Sequence, residues 1–248
     1  MRVTALECGV LRAPGEAFVA GLDGSVDLAV WAFLVEHPRG TVLFDTGMHP
    51  SIRDDAHGRL GGLADLFTIE YGPDDDVASR LEQAEVAPDD VSVIIGSHLH
   101  FDHAGGNALV ADARLVLQRR EWEHARTEDD GGGYVAADLD TGHDVQLVDG
   151  EHDVFGDGRV VCVPTFGHTP GHQSLRLRLD DGDLLLTADA CYLRRSLEAR
   201  ALPAFGWDLD LQRDVLERFA AHEAAGASLV FGHDPVLSPA ARALMTAG

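Results

Sequence analysis

His98-Leu99-His100-Phe101-Asp102-His103 places three imidazoles and one carboxylate within six residues, directly after the apolar run Val91–Ile95. Such side chains are the donors that zinc and related divalent metals take, and one ion needs only three or four of them. The six residues already supply four, so further converging ligands would build a second site. Candidates follow other apolar runs: His168 after 160–163, Asp189 after 184–187 and His233 after 229–231. Seven ligands suffice for two metals when one carboxylate bridges them. A set without thiolate suits Zn²⁺, with Mn²⁺, Co²⁺ or Fe²⁺ as alternatives. Two cations roughly 3.5–4 Å apart can hold a hydroxide between them and polarise a carbonyl together. The chain has 13 histidines. Of these, His37, His49, His57, His124, His143, His152 and His222 read as surface or satisfied core residues. His172 reads as an orienter of a ligand rather than a ligand.

Metal ligands need rigid mounts, because their distances must hold within a few tenths of an ångström. The chain offers short apolar runs separated by turn clusters. Residues 28–35 and 41–44 read as adjacent strands joined at His37-Pro38-Arg39-Gly40. Residues 74–85 carry Val77 and Leu81 at helical spacing, and Pro88 stops that helix before the strand Val91–Ile95. A strand over 113–118 and a short helix over 119–126 follow. Residues 159–164 read as a strand. Residues 174–179 and 184–187 read as a hairpin around Asp180-Asp181-Gly182-Asp183. Leu211, Val215, Leu216 and Phe219 mark a helix over 210–225, and a strand over 228–231 leads to Gly232-His233. Ser238 can cap a last helix that has Pro239 at its first position and runs to the C-terminus. Residues 47–72 and 127–142 read as long loops of the kind that cover or line sites.

Composition narrows the partners. A chain of 248 residues with 45% hydrophobic content can bury a sizeable core, and a single domain over 1–248 is expected. Forty-two acidic residues against 19 basic ones give a formal charge of −23. That surface repels phosphate backbones and anionic lipid, so neither nucleic acid nor membrane is expected as a partner. A neutral small molecule is the easiest substrate. Cys8, Cys162 and Cys191 form no paired motif and read as reduced thiols. The N-terminus lacks the apolar stretch of a secretory signal, and no run approaches the roughly 18 residues of a membrane span. A soluble cytoplasmic protein is expected.

His-Leu-His-Phe-Asp-His-Ala-Gly-Gly-Asn at 98–107, Gly-His-Thr-Pro-Gly-His-Gln-Ser at 167–174, Thr-Ala-Asp-Ala at 187–190 and Phe-Gly-His-Asp at 231–234 resemble the metallo-β-lactamase superfamily in order and spacing. Phe44-Asp45-Thr46-Gly47 is similar to that family's early turn. The resemblance covers most of the chain. It implies an α/β fold, the αβ/βα four-layer sandwich, with the site on one edge. It assigns His98, His100 and His168 to a first metal, Asp102, His103 and His233 to a second, and Asp189 to the bridge. Asp45 is a candidate acceptor for a ligand's second ring nitrogen, or a residue of turn structure.

Within the family, the chain resembles most the N-acyl homoserine lactonases. Asp189 stands where common zinc β-lactamases have a cysteine. Phe101 lies inside the metal turn, Tyr192 follows Asp189 by three residues, and Phe205-Gly206-Trp207-Asp208 is similar to a stretch of those lactonases. The implied reaction opens a lactone ring, giving N-acyl homoserine from N-acyl homoserine lactone and so quenching quorum signals. A hydroxide held between two zinc ions would attack. Tyr192 would stabilise the oxyanion and Asp102 would pass a proton to the leaving alkoxide. Phe101, Phe67 and Leu63 are the expected contacts of the acyl chain, with Leu66 and Ile69 beside them. The alternatives are a lactonase for another ring, such as a pyridoxolactone-type lactone, and a thioesterase of the same family. A homodimer is implied by the resemblance alone.

Overall fold

The computed structural model describes residues 1–128 and 132–246. Two sheets lie face to face. The first contains β1 (Arg2–Pro14), β2 (Ser25–His37), β3 (Gly40–Phe44), β4 (Thr68–Glu70), β5 (Val91–Ile95), β6 (Arg114–Gln118) and β7 (Val145–Val148), ordered β4-β1-β2-β3-β5-β6-β7. The second contains β8 (His152–Asp153), β9 (Val160–Pro164), β10 (Gln173–Leu179), β11 (Gly182–Leu186) and β12 (Ser228–Val230), ordered β12-β11-β10-β9-β8. The helices are α1 (Gly15–Phe18), α2 (Ala56–Leu60), α3 (Val77–Gln83), α4 (Phe101–Ala104), α5 (Arg119–Ala125), α6 (Arg194–Ala199), α7 (Leu209–Ala224) and α8 (Pro239–Thr246). Among the described residues no helix is long and apolar enough to cross a membrane.

The period-2 alternation of β2 explains the layering. Ala29, Trp31, Phe33 and Val35 face one way and meet Cys162, Leu175, Leu177, Leu184 and Leu186 of the second sheet. Leu28, Val30, Ala32 and Leu34 face the other way, into a core closed by α3 and the segments 48–67 and 134–139. A strand buried on both faces must be a continuous apolar run, as β2 is. On the far side of the second sheet, Leu185, Leu229 and Phe231 pack against Val215, Leu216 and Phe219 of α7. The result is the four-layer sandwich expected from the sequence.

Several elements differ from the sequence reading. The hairpin turn is the pair Asp180-Asp181, since Gly182 already pairs with Leu179. Residues 47–72 are not one loop: two 3₁₀ turns, α2 and β4 occupy most of it. Of the 127–142 segment, residues 129–131 lie outside the described residues, as do the last two residues of the expected C-terminal helix. The final helix does start as expected, with Ala241 N–H donating to Ser238 Oγ at 3.2 Å. β1 hides in sequence because a bulge between Glu7 and Val10 flips its parity. Leu6 and Cys8 reach one core before the bulge, and Leu11 and Ala13 reach the same core after it.

Candidate metal centre

The seven residues singled out in the sequence converge at one edge of the sandwich. β5 delivers His98 and, two residues on, His100 on the same side of extended backbone. One helical turn, α4, then turns Asp102 and His103 inward. His168 comes from the loop between β9 and β10, Asp189 from the 3₁₀ turn after β11, and His233 from just beyond β12. Their ligand atoms form two groups, His98, His100, His168 and Asp189 in one and Asp102, His103 and His233 in the other. Within each group all ligand atoms lie within 4.8 Å of one another.

Asp189 sits between the groups with one oxygen toward each. Its Oδ2 lies 3.4 Å from His168 Nε2 and 3.9 Å from His98 Nε2. Its Oδ1 lies 2.9 Å from His233 Nε2 and 3.1 Å from His103 Nε2. In the first group His168 Nε2 stands 3.2 Å from His98 Nε2 and 3.1 Å from His100 Nδ1. In the second, Asp102 Oδ2 stands 3.7 Å from both His103 Nε2 and His233 Nε2.

The donor set fits divalent cations on two observations. His103 Nε2 and Asp189 Oδ1 are buried and close, yet neither is aligned to hydrogen-bond the other. Three ring nitrogens of the first group also converge, His168 Nε2 lying 3.1–3.2 Å from the other two; with each ring's proton on its far nitrogen, their lone pairs would face one another. A cation between such atoms resolves both conflicts. Burial favours the neutral ring: it pushes His98 and His168 well below the ordinary imidazole value and His100 down to about 3. The second group behaves oppositely. Burial pulls His103 and His233 down, but Asp189 and Asp102 outweigh it and raise both.

Four of the five rings are held from behind. His98 Nδ1 meets Ser97 Oγ at 2.9 Å, His103 Nδ1 meets Asp45 Oδ2 at 2.9 Å, and His233 Nδ1 meets the Ala29 carbonyl at 2.9 Å. His168 Nδ1 meets Tyr192 Oη at 3.2 Å. These contacts fix which nitrogen faces the centre. Asp45 does this from a left-handed backbone, φ 59°, a conformation costing about 1–3 kcal/mol for a residue other than glycine. Ser97 N–H donating to Asp45 Oδ1 at 2.6 Å and Asp45 N–H donating to the Ile95 carbonyl at 3.0 Å hold it there. His172 is outside both groups and bonds Thr165 Oγ1 through Nδ1 at 2.8 Å, while its ring lies 5.2 Å from that of His98.

Tyr192 stacks on His233, 5.4 Å between ring centres, and meets Phe18 edge-on at 5.4 Å. Burial first, then the charge of Asp189, pushes its phenol well above its usual value, so it stays a donor. An aromatic row continues from Phe18 to Phe67 and on to Phe101, at 6.1 and 6.0 Å. Phe101 and Phe67 are therefore neighbours. Leu63 lies on the wall of a groove of about 550 Å³, with Leu60, Leu66, Tyr134 and Val135. Tyr134 of that groove has its ring edge-on to His100 at 4.6 Å.

Sequence reasoning did not single out Glu121, Tyr134 or Phe18. Glu121 sits on the same face of α5 as Ala125, both fully buried. A carboxylate on the apolar face of a short helix is the signal that could have found it.

Comparison with known proteins gives consistent findings. The family model described as metallo-beta-lactamase superfamily matches residues 26–233. The N-acyl homoserine lactonase AttM of Azorhizobium caulinodans is 36% identical over 224 residues, covering 87% of this chain and 85% of that protein. The N-acyl homoserine lactonase AiiA of Bacillus thuringiensis subsp. kurstaki is 31% identical, covering 84% and 82%. A solved N-acyl homoserine lactone hydrolase, with N-hexanoyl-L-homoserine bound at its catalytic metal centre, superposes with a TM-score of 0.84 at 28% identity, covering 94% of this chain and 93% of that chain.

Proposed function

This chain belongs to the metallo-β-lactamase superfamily, and from that premise we propose that it hydrolyses the lactone ring of N-acyl homoserine lactones. The observation that carries the reading is Asp189, with one oxygen toward each of two ligand groups, together with Tyr192 beside it. His98, His100 and His168 would hold one zinc ion, Asp102, His103 and His233 a second, and Asp189 both. Bound there, the two cations would supply an activated water and polarise the carbonyl.

The chain's own residues supply the rest. Tyr192 keeps its proton, and its hydroxyl stands at the edge of the first group. It is placed to donate to an oxygen that gains negative charge as the carbonyl turns tetrahedral. Asp102 has the most exposed side chain in its group, 10% against 2–3% for the two imidazoles. That makes it the group placed to take a proton and deliver it to the departing alkoxide. Phe101 and Phe67 offer the acyl chain an apolar wall, and Leu63 extends it along the groove beside Tyr134. Similarity to proteins named N-acyl homoserine lactonase supports that choice of ring. A net charge of −23 suits a neutral substrate.

We read 1–248 as one hydrolase domain working in the cytoplasm, where its three buried free thiols stay reduced. A homodimer is part of the same proposal, checked by light scattering in solution. The test of function is acid release at neutral pH from three substrate classes: N-acyl homoserine lactones of short and long chain, a pyridine-fused lactone and an acyl thioester. The reading expects the N-acyl homoserine lactones to be opened fastest. Faster turnover of either other class overturns it.

A further inference from the structure

Glu121 is fully buried and accepts four hydrogen bonds. Its Oε1 takes the Leu99 N–H at 3.0 Å and the Tyr134 hydroxyl at 3.0 Å. Its Oε2 takes the Thr169 hydroxyl at 2.6 Å and the Gly171 N–H at 3.1 Å. Leu99 lies between His98 and His100, and Thr169 follows His168. One carboxylate thus joins the two separate loops that carry the three imidazoles of the first group. It also joins the Tyr134 segment, whose Gly133 carbonyl accepts the Phe101 N–H at 2.9 Å. The approach is close enough to dictate a residue: a Cβ on Gly171 would lie 2.1 Å from the Glu121 backbone nitrogen, so only glycine fits there.

We propose that Glu121 is the positioning residue of the three-imidazole half of the centre, setting the spacing of His98, His100 and His168 without touching a metal. This rests on the two-metal reading given above. Its chemistry is specific to a carboxylate, which can accept at both oxygens, whereas a glutamine amide accepts at one end and donates at the other. In Glu121→Gln the amino group must face either Leu99 N–H or Gly171 N–H. A hydroxyl can turn round to accept; a backbone N–H cannot. One of the two loops is then released, and the nitrogen triangle opens.

The test measures zinc occupancy at each position by anomalous scattering, in crystals equilibrated with graded concentrations of a chelator. For Glu121→Gln the expected result is a loss of affinity of about 10–100-fold at the His98/His100/His168 position, the range typical for partners behind a ligand. At the Asp102/His103/His233 position the expected change is under about threefold, well short of that range. Glu121→Asp, with both oxygens but a shorter reach, should recover part of the loss. If Glu121→Gln does not fold, Thr169→Ala and Tyr134→Phe each remove one of its four donors and should weaken the first position alone, by roughly 2–5-fold, a fraction of the 10–100-fold range for the whole partner. Equal loss at both positions, or none at either, overturns the inference. Absence of zinc from both positions of the unmodified chain overturns the two-metal reading itself.

Discussion

The two halves of the centre are built on different chemistry. The half made by His98, His100 and His168 is neutral and held at a distance: hydroxyls of Ser97 and Tyr192 touch two of its rings, and Glu121 sets its loops. The half made by Asp102, His103 and His233 contains a carboxylate and has a second, Asp45, directly on His103. Burial drives the first three imidazoles toward the neutral form, while the acidic neighbours of His103 and His233 drive them toward the protonated form. The lesson is that near-identical ligand types can be tuned by what stands behind them. One half relies on lone pairs already free, the other on negative charge that competes with protons for the same rings.

The largest expected effect comes from removing what the halves share. Asp189→Asn leaves one oxygen and puts an amino group toward the other half. kcat/KM for a lactone should fall by about 10³-fold or more, the upper range for losing an electrostatic anchor, and metal content should drop at both positions. A variant with near-normal turnover would sever the halves. Tyr192→Phe comes next. It should lower kcat about 10²-fold with little change in KM, since the phenol's bond strengthens only as charge develops; steady-state kinetics decide this. Asp45→Asn is the counterpart of the Glu121 substitution. Zinc affinity should fall about 10–100-fold at the second position and hold at the first, as read by chelator competition.

The smallest effect is also the most direct on the contrast in charge. His98 and His168 lie well below the ordinary imidazole value and His100 at about 3, so all three are unprotonated at neutral pH. Zinc should bind there without releasing protons from the rings, and with affinity that is flat from pH 8 to 6. His103 and His233 are raised, so zinc should compete with protons for the rings of the second half. Its affinity should climb with pH until the raised values are passed. Calorimetry in buffers of different ionisation enthalpy measures those protons; equal release at both positions would erase the difference.

Much of this centre is legible in sequence, and physics explains which part. His98 to His103 stand out because the spacing is local and a strand immediately precedes them. His168, Asp189 and His233 stand out because each follows a short apolar run, and strand ends at one edge of a sandwich converge. Asp45 is legible as an acceptor for the same reason. Glu121 is not, because its partners are 13 to 50 residues away and an acidic residue in a short helix normally faces water. The aromatic row is half legible. Phe67 and Phe101 carry an apolar signal, but Phe18 follows a bulged strand whose alternation is broken. The segment 47–72 conceals 3₁₀ turns and a three-residue strand, elements too short to leave a periodic trace. Leu63 lines the groove near Tyr134, and Leu63 and Phe67 both pack against the core that holds Phe101.

The central claim is that both halves act together on a lactone. The measurement that tests it is acid release from an N-acyl homoserine lactone as zinc is added stepwise to metal-free protein at neutral pH. The account predicts that activity rises to a break at two zinc ions per chain. Full activity at one ion per chain, or no acid released with both positions filled, would contradict it.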